Sequence, residues 1–572
     1  MVSRHEYPVY SDTPPPELSG GGHHRRAVIV GAGPAGLTAA IDLARQGVAS
    51  LVLDDNQTVG VGSRAICFAK RTLEIFDRLG CGQAMLDKGV TWQVGKVFFR
   101  DREVYRINQR ADQGHRMPAV VNLQQHHCEA YLVNRAQQFP SHIELRWKNE
   151  VIAVDSRSDG TALTVSTPDG TYSLTCEYLL VADGASGGIR DMLGLTSRGQ
   201  VFKDRYLIAD VVMKADFPTE RWFWFDPPFH PNQSALMHRL PDDVLRIEFQ
   251  LDAQADPEEE KKEANVRSRV QAMLGADVPF ELEWASVYTF CCRKIDRFVH
   301  NQVLFMGEAA VQVSPFGARG ANGGIQGAEN LSWKLGRVIR GEAPAALLHT
   351  YDSERQQGAA EDVLHATRAA EFIRPRTSTI RAFRDAALEL AEHYPFARAL
   401  VNSGRLSRPC VYEGSPLSTD DDPSFPPLMH PGSPPQDAPV TVDGEKMWWL
   451  HLLGDHFCLL VDGRMEGVSA LRLATELQQV LEETPDLVLR IVGPVPDAVR
   501  RLPRSTVIHD ANGYLTVRHD LRPGNGYLFR PDQHVAARWR ELRADAIIEA
   551  IKRSNGLTLK SLEESARVQP GA

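Results

Sequence analysis

The sequence predicts an α/β fold made of a Rossmann-like dinucleotide-binding domain, an antiparallel sheet inserted into it, and a C-terminal thioredoxin-like domain. Three observations support this prediction. A glycine-rich strand–helix–strand pattern occupies 26–54, alternating strands separated by prolines fill 201–294, and a compact pattern of strands and helices follows a proline-rich stretch at 411–438.

The first motif is a dinucleotide-binding fingerprint in its required context. An apolar run of strand length leads into GAGPAG at 31–36, a helical pattern follows, and a second strand ends at Asp54. Gly31 allows a tight turn, Gly33 lets the backbone approach a pyrophosphate, and Gly36 lets helix and strand pack closely. Because the first N–H groups of a helix attract anions, we expect phosphates to bind there and Asp54 to accept a hydrogen bond from a ribose hydroxyl.

Composition argues against several classes of protein. The chain is 43% hydrophobic and 24% charged, and its net charge of −9 with no long basic run argues against a nucleic-acid or anionic-membrane surface. No apolar stretch approaches the length of a membrane span. The eight cysteines form no CxxC pair, so neither a disulfide framework nor a metal site is predicted, and a cytoplasmic location is expected.

Shifts in composition divide the chain into segments. We expect a disordered leader at 1–24 and a linker at 411–438. The other boundaries are 25–200 and 295–410 for a discontinuous nucleotide-binding domain, 201–294 for a substrate domain, 439–558 for the thioredoxin-like domain and 559–572 for a tail. Within these segments the patterns predict long helices at 346–372 and 376–403, a strand near 514–517 and a helix at 535–552.

Two further glycine-rich segments accompany the first motif. LLVADGASGGIR holds Asp183 and Gly184 at the end of a buried strand, and GEAAVQVSPFGARGANGGIQGAENLSWKL runs from a strand through a loop into a helix. Together with GAGPAG, these segments resemble the motifs of the class A FAD-dependent aromatic hydroxylases. The C-terminal GYLFRPDQHVAARW is similar to the tail of the branch that contains phenol hydroxylase and 3-(3-hydroxyphenyl)propionate hydroxylase.

The resemblance implies that the Rossmann-like domain binds FAD. By position in the motifs it assigns FAD binding to Gly31, Gly33, Gly36, Asp54, Arg64, Gln125, Asp183, Gly184, Glu308, Pro315, Gly320, Asn322 and Gly323. Glu308 stands where the family has Asp, so its hydrogen bond to the ribityl chain must come from one methylene further out. Glycines near 315–324 would let backbone N–H groups approach the flavin ring.

The resemblance also implies a reaction. NADPH or NADH reduces the flavin, dioxygen reacts to a flavin C4a-hydroperoxide, and the distal oxygen is transferred to an electron-rich ring. The expected substrate is a small phenol or similarly activated aromatic compound, hydroxylated ortho to its hydroxyl group. The absence of a second dinucleotide motif agrees with transient docking of NAD(P)H in this family. A homodimer is expected.

Candidate catalytic residues lie on or near the inserted sheet. A phenol is a stronger nucleophile as its phenolate, so a residue that accepts a proton is expected beside the ring. His238, Arg246, Tyr288 and Cys67 are the candidates, with Pro315 in the loop beside the flavin. A packing or surface position would account for each candidate without chemistry, so the sequence leaves the base open.

Other functions stay open at this point. The departures at Glu308 and Val311 are compatible with a non-catalytic FAD-binding protein. The sequence WFWFDP at 222–227 approaches the WxWxIP of flavin-dependent halogenases, although aromatic runs are common in sheets. A flavin disulfide reductase needs a redox cysteine pair and a second nucleotide motif, and the sequence has neither. Oxidation of NAD(P)H with and without a phenol separates the alternatives.

Overall fold

The computed structural model describes residues 6–12, 14–20, 23–62, 64–108, 113–157, 160–213, 217–402 and 406–559. Its strands, in chain order, are β1 (His23–Val30), β2 (Ser50–Leu53), β3 (Cys67–Ala69), β4 (Val90–Thr91), β5 (Val94–Phe99), β6 (Arg102–Asn108), β7 (Val120–Asn122), β8 (Ile143–Arg146), β9 (Glu150–Arg157), β10 (Gly160–Thr167), β11 (Gly170–Val181), β12 (Ser197–Val212), β13 (Glu220–Phe225), β14 (Ser234–Arg239), β15 (Val244–Leu251), β16 (Glu281–Ile295), β17 (Val299–His300), β18 (Val303–Phe305), β19 (Val311–Gln312), β20 (Pro439–Val442), β21 (Glu445–Trp448), β22 (Phe457–Asp462), β23 (Leu487–Val492), β24 (Ser505–Ile508), β25 (Gly526–Phe529) and β26 (Val535–Trp539). Its helices are α1 (Pro34–Arg45), α2 (Lys70–Leu79), α3 (Gly82–Lys88), α4 (Gln125–Ala136), α5 (Ile189–Met192), α6 (Pro257–Glu260), α7 (Glu263–Leu274), α8 (Gly320–Ile339), α9 (Leu347–Ile373), α10 (Ser378–Ala391), α11 (Pro395–Asn402), α12 (Gly467–Glu483), α13 (Asp497–Arg500), α14 (Tyr514–Arg518) and α15 (Ala544–Ser554), with 3-10 turns at Pro16–Ser19, Gly307–Ala309 and Trp449–Leu452.

The first sheet carries the dinucleotide fingerprint. Its strand order is β17-β18-β11-β1-β2-β8, with β1 parallel to both β11 and β2, and β10 and β9 extend it from β11. The side chains of Ala27, Val28 and Ile29 are fully buried, as expected for a central strand of a parallel sheet. The predicted strand–helix–strand unit is present as β1, α1 and β2.

The second sheet is larger than the predicted insert. Its order is β19-β16-β12-β15-β14-β13-β5-β6. The sheet extends past the predicted bounds of 201–294 at both ends, since β12 begins at Ser197 and β16 ends at Ile295, and the domain bounds stay a prediction. Strands β5 and β6 also belong to this sheet rather than to the nucleotide-binding domain, because β5 pairs in parallel with the whole of β13. One face of the sheet packs against α7 through Val266 and Val270.

The helices after the first sheet differ from the prediction in one place. The helix predicted at 346–372 is present as α9, but the one predicted at 376–403 is interrupted and forms α10 and α11. The interruption precedes Pro395, whose ring cannot continue a helix and instead occupies the first position of the next one. No helix in the described part of the chain is long and apolar enough to cross a membrane.

The C-terminal sheet has the order β24-β23-β22-β25-β26, with the first three strands parallel and the last two antiparallel. Two predictions are wrong here. Residues 514–518 form helix α14 rather than a strand, and 535–552 divides into β26 and α15. Because β26 is buried along most of its length, its apolar run looks the same in sequence as a buried helix.

The prediction of a disordered leader is wrong for the described residues of 1–24. Tyr10 stacks on Trp147 with 4.8 Å between ring centroids. Glu17 is buried in the turn at Pro16–Ser19 and accepts a hydrogen bond from Arg146 at 2.9 Å. These contacts fix the segment against the first sheet. Residues 1–5, 13, 21 and 22 lie outside the described residues.

The proline-rich segment at 411–438 is packed rather than free. It contains no helix or strand, but Tyr412 is fully buried. The Ser415 hydroxyl donates to Glu354 on α9 at 2.6 Å. The segment predicted as a linker therefore also holds the C-terminal sheet against α9.

Candidate functional site

The glycine turn between β1 and α1 has the shape that a pyrophosphate needs. Gly31 has a φ of +106°, and a Cβ there would lie 2.3 Å from the carbonyl oxygen of Ala182. A Cβ at Gly36 would lie 1.9 Å from the carbonyl oxygen of Gly31, whereas a Cβ at Gly33 would meet no atom within 4 Å. The fold itself therefore requires Gly31 and Gly36, and Gly33 faces open space.

Asp54 braces this turn from the end of β2. Its Oδ2 accepts a hydrogen bond from the Ala32 N–H at 2.7 Å, and its Oδ1 accepts one from the Asn56 N–H at 2.9 Å. Burial raises the pKa of this carboxyl group, and the two N–H donors oppose that rise. Its contact with a ribose stays a prediction. The two hydrogen bonds show that Asp54 also holds the turn in place.

The second motif lies against the first. Asp183 follows β11, and its Oδ2 accepts a hydrogen bond from the Ile189 N–H at 3.1 Å. A Cβ at Gly187 would lie 1.9 Å from the carboxyl carbon of Asp183, so this glycine makes room for the carboxylate. Gly184 has a φ of +81°, and a Cβ there would meet no atom within 4 Å.

The third motif brings a second helix N-terminus to the same place. Helix α8 begins at Gly320 and, like α1, has no hydrogen bond from a capping side chain. A Cβ at Gly324 would lie 3.8 Å from the Cβ of Ala35, so the first turns of the two helices are adjacent. A Cβ at Gly320 would lie 3.8 Å from Oε1 of Glu308. Burial raises the pKa of Glu308, and the charge of Arg64 opposes the rise.

These features fit FAD. Two adjacent helix starts without side-chain caps offer N–H groups to the phosphates of a dinucleotide. The open space beside Gly33 and Gly184 leaves room for close backbone contact. Arg64 is exposed, and its charge acts on both Glu129 and Glu308, so its guanidinium lies where it could neutralise a phosphate.

Two side chains that the resemblance assigned to FAD are engaged elsewhere. Gln125 accepts a hydrogen bond from the Ala65 N–H at 3.0 Å and donates one to Glu129 at 2.7 Å. Asn322 accepts an N–H of strand β3 and donates to a carbonyl of the same strand, each at 2.9 Å. Both amides therefore hold the backbone of 65–69 in place, and their contact with FAD stays a prediction.

Gly323, also assigned to FAD by the resemblance, packs against α9, and its contact with FAD stays a prediction. A Cβ there would lie 2.8 Å from Oδ2 of Asp362 on α9, and its carbonyl accepts a hydrogen bond from Arg355 at 3.0 Å. This glycine therefore allows α8 and α9 to pack closely, and a side chain there would face α9 rather than the groove between the first turns of α1 and α8.

The second sheet presents a layered face to the groove. Cross-strand pairing aligns its side chains in three rows, each running from β13 through β14, β15 and β12 to β16. Paired residues of an antiparallel sheet point to the same side, so the members of a row share one face. Row one is Arg221, His238, Arg246, Asp210 and Trp284; row two is Phe223, Leu236, Glu248, Ile208 and Ser286; row three is Phe225, Ser234, Gln250, Tyr206 and Tyr288.

Two segments of the first domain cover the outer rows. At row one, a Cβ at Gly62 would lie 2.6 Å from the ring of Trp284, and Arg246 donates to the carbonyl of Arg64 at 3.4 Å. At row three, the ring of Phe316, in the loop after β19, lies 5.2 Å from that of Tyr206. Row two therefore lies between the covering segments.

A cavity of about 160 Å³ opens beside Arg221 and Phe223, at the β13 end of rows one and two. Phe316, Gly317 and Phe372 are among its other lining residues. This volume is close to that of an apolar cavity of about 150 Å³ that holds benzene. The cavity can therefore hold one aromatic ring.

Comparison with known proteins decides the family. The chain matches the family described as "FAD binding domain" over residues 25–366. The chain belongs to this FAD binding domain family. It is 27% identical to the 3-(3-hydroxy-phenyl)propionate/3-hydroxycinnamic acid hydroxylase of Mycolicibacterium smegmatis over 397 residues, which cover 68% of each chain. It is 31% identical to the 12-dehydrotetracycline 5-monooxygenase/anhydrotetracycline 6-monooxygenase of Streptomyces rimosus over 376 residues, 64% of this chain and 73% of that one.

Solved structures share the fold of this FAD binding domain protein. The flavin-dependent monooxygenase PieE, solved with FAD and substrate, has a TM-score of 0.79 at 22% identity, covering 93% of this chain and 99% of that one. Aklavinone-11 hydroxylase, solved with FAD and aklavinone, has a TM-score of 0.74 at 22% identity with the same coverage. Together with the family match, the named relatives confirm the prediction of a class A FAD-dependent monooxygenase. The chain is an enzyme, and the non-catalytic alternative is wrong.

In this FAD binding domain enzyme, the predicted catalytic residues occupy different environments. Arg246 is buried and donates to both carboxylate oxygens of Asp210, at 2.8 and 3.0 Å, so it forms an ion pair within row one, and its catalytic role stays a prediction. The neighbouring His238 is buried, and its Nδ1 has no hydrogen-bond partner among the described residues. Burial, with the charges of Arg221 and Arg246, holds the pKa of His238 well below its usual value, so the imidazole is neutral.

The other candidates do not supply a base at neutral pH. Tyr288 is 40% exposed, and the partial burial of its ring raises the pKa of the phenol to about 12, so the phenol is protonated at neutral pH. Its catalytic role stays a prediction. Burial likewise raises the pKa of the Cys67 thiol to about 12. Pro315 has no N–H to donate and is exposed in its loop, and its role beside the flavin stays a prediction.

Sequence reasoning missed Arg221, Phe223 and Glu248. A signal was present in β15, which reads VLRIEFQL and is buried at every position although polar residues recur at every second one. A buried strand with a polar face indicates a polar site rather than solvent. The indoles of WFWFDP, Trp222 and Trp224, lie on the opposite face against Phe98, away from the groove.

Proposed function

We propose that this enzyme hydroxylates a phenol or a similarly activated aromatic ring with NAD(P)H and dioxygen. The observation that carries the proposal is the ring-sized cavity between Phe223 and Phe316, beside the loop that resembles the flavin-contacting loop of the family. The relative from Mycolicibacterium smegmatis is named for hydroxyphenyl compounds, which supports a phenolic substrate.

The chain's own residues would hold FAD along the groove. Gly33 and the start of α1 would bind the pyrophosphate, and Arg64 would neutralise its charge. Asp54 would accept from the ribose and Glu308 from the ribityl chain. The chemistry that the bound cofactor supplies is the transfer of electrons from NAD(P)H to dioxygen.

The electronic demand of the reaction favours the ring carbons ortho and para to the phenolic oxygen, and of these we propose the ortho position. A phenolic oxygen donates charge to the ring carbons beside and opposite it, and those carbons react best with an electrophilic oxygen. Four of the five side chains of row two are buried, so the ring would react away from bulk water. We therefore expect the new hydroxyl beside the existing one.

The roles of the two other sheets, the cellular location and the oligomeric state are also proposals. The second sheet would form the substrate domain, and the strand order of the C-terminal sheet supports a thioredoxin-like domain with a structural role. All eight cysteines are free, which supports a reducing, cytoplasmic environment. A homodimer stays a proposal, and the exposed Phe383 and Phe396 on α10 and α11 are the surface to test.

The test is a panel of phenols incubated with the FAD-loaded enzyme and either NADH or NADPH. At least one phenol should increase the rate of NAD(P)H oxidation and give a product heavier by one oxygen atom. Halogenated products would support the halogenase alternative. Hydrogen peroxide as the sole product with every phenol would contradict the proposal.

A further inference from the structure

Row two contains a carboxylate that no structural role explains. Glu248 lies in β15 between Leu236 of β14 and Ile208 of β12. It is 7% exposed, and among the described residues it accepts no hydrogen bond and has no cationic partner within 4.0 Å. A buried carboxylate without a partner destabilises a folded protein, so its presence needs a reason.

Other buried carboxylates of the chain have such partners. Asp210 accepts two hydrogen bonds from Arg246, and Glu354 accepts two from Arg530. Glu248 differs from them although it lies on the same sheet face as Asp210. Row two lies between the two covering segments, and the cavity opens at its Phe223 end, so a substrate is the partner that could reach Glu248.

Charged groups on three strands act on Glu248. Arg246 on its own strand and Arg221 on β13 favour its ionised form, and Asp210 on β12 opposes it. Since Asp210 neutralises Arg246, burial dominates and raises the pKa of Glu248. The nearby His238 and Cys67 are neutral at pH 7. This environment brings the pKa of the carboxyl closer to neutrality, where a general base works best.

We infer that Glu248 accepts the proton of the substrate's hydroxyl group. The inference rests on the proposed function and names the base that it requires. The position agrees with the cavity, because Leu236 alone separates Glu248 from Phe223 within row two. A ring held beside Phe223 would therefore direct its hydroxyl along row two towards the carboxylate.

Hydroxylation begins with transfer of the phenol proton to Glu248. The O–H bond of the phenol breaks, an O–H bond forms on Glu248, and the electron pair stays on the phenolate oxygen. NAD(P)H supplies a hydride, which amounts to two electrons and one proton. One oxygen atom of dioxygen forms the new C–O bond, and the other leaves as water formed with the proton of that hydride and one proton from solvent. The hydrogen of the attacked ring carbon passes as a proton to the new hydroxyl, and Glu248 returns its proton to the original oxygen.

The experiment compares Glu248→Gln with wild type on two phenols. One phenol is un-ionised at the assay pH, and the other is a fluorinated phenol whose pKa lies below the assay pH. The Gln variant should form product about 10²–10³-fold more slowly from the first phenol but lose less than about tenfold on the second, which needs no base. The control is Asp243→Asn, the same change at an exposed carboxylate just before the same strand, and it should behave as wild type on both.

A stability measurement supplies a readout besides activity. Because Gln removes an unpartnered buried charge, Glu248→Gln should unfold at a higher temperature than wild type, whereas loss of a structural carboxylate would lower that temperature. Equal losses on both phenols, no loss on either, or a selective loss in His238→Asn instead would overturn the inference. If wild type hydroxylates no phenol, the proposed function is refuted and this inference falls with it; a wild type and a Gln variant that work equally well refute the inference alone.

Discussion

Replacing Arg530 with Met should loosen the contact between the C-terminal sheet and helices α8 and α9. Arg530 is fully buried and donates to Glu354 at 2.6 Å and to Asp532 at 2.9 Å. Lys334 donates to the same Glu354 at 2.7 Å. Two cations thus balance two carboxylates, and Arg530→Met leaves one buried negative charge without compensation.

The magnitude follows from the partners that are left. Removing one partner of a buried ion pair destabilises a protein by about 3–5 kcal/mol. The lower end applies here, because Ser415 and Lys334 still donate to Glu354, and Asn330 still donates to Asp532 at 3.3 Å. We expect the free energy of unfolding to fall by about 3 kcal/mol.

Urea unfolding of the purified variants checks this value. The control is Arg501→Met, which should unfold as wild type does. Arg501 is 81% exposed, and its one ion pair among the described residues is with an exposed carboxylate. Adding Glu354→Gln to Arg530→Met should restore part of the loss by removing the excess charge. Equal unfolding midpoints for Arg530→Met and Arg501→Met would refute the reasoning.

Three other changes have defined outcomes. Gly33→Asp should give colourless protein, because a carboxylate would occupy the open space that suits a pyrophosphate. Full flavin content in this variant would contradict the assignment of pyrophosphate binding to Gly33. Cys458→Ser should keep near-normal hydroxylation, since burial raises the pKa of this thiol to about 12 and the C-terminal sheet has no other cysteine; lost turnover in a folded variant would restore a redox role. Burial raises the pKa of Glu74 from 4.5 to about 7, so the folded chain keeps a proton that the unfolded chain loses. The stability of wild type relative to Glu74→Gln should therefore fall between about pH 5 and about pH 7, and parallel pH profiles of the urea midpoint would contradict this.

The cofactor groove was predictable because much of it depends on local backbone geometry. A positive φ at Gly31 and the close approach at Gly36 follow from a tight strand-to-helix turn, which the spacing of GAGPAG indicates. The partners of Gln125 and Asn322 were not predictable in this way. Their amides bond backbone groups 60 and 253 residues away, at distances in sequence that no local pattern reveals.

The second and C-terminal sheets also depend on contacts between residues far apart in sequence, which no local pattern reveals. Alternation predicted strands, but Glu248 meets Leu236 and Ile208 only through the register of three strands. Residues 535–539 look helical in sequence because a fully buried strand has no alternation to distinguish it from a buried helix. Register and burial are tertiary properties, so the rows that form the candidate substrate site required the structure.

The most direct test of the account follows the atoms of isotopically labelled dioxygen. The FAD-loaded enzyme, NAD(P)H and the most effective phenol of the panel are incubated under labelled dioxygen, and the product is analysed by mass spectrometry and NMR. The account predicts a singly hydroxylated product with one labelled oxygen atom beside the original hydroxyl. An oxygen atom derived from water, or peroxide alone with every activated ring, would contradict it.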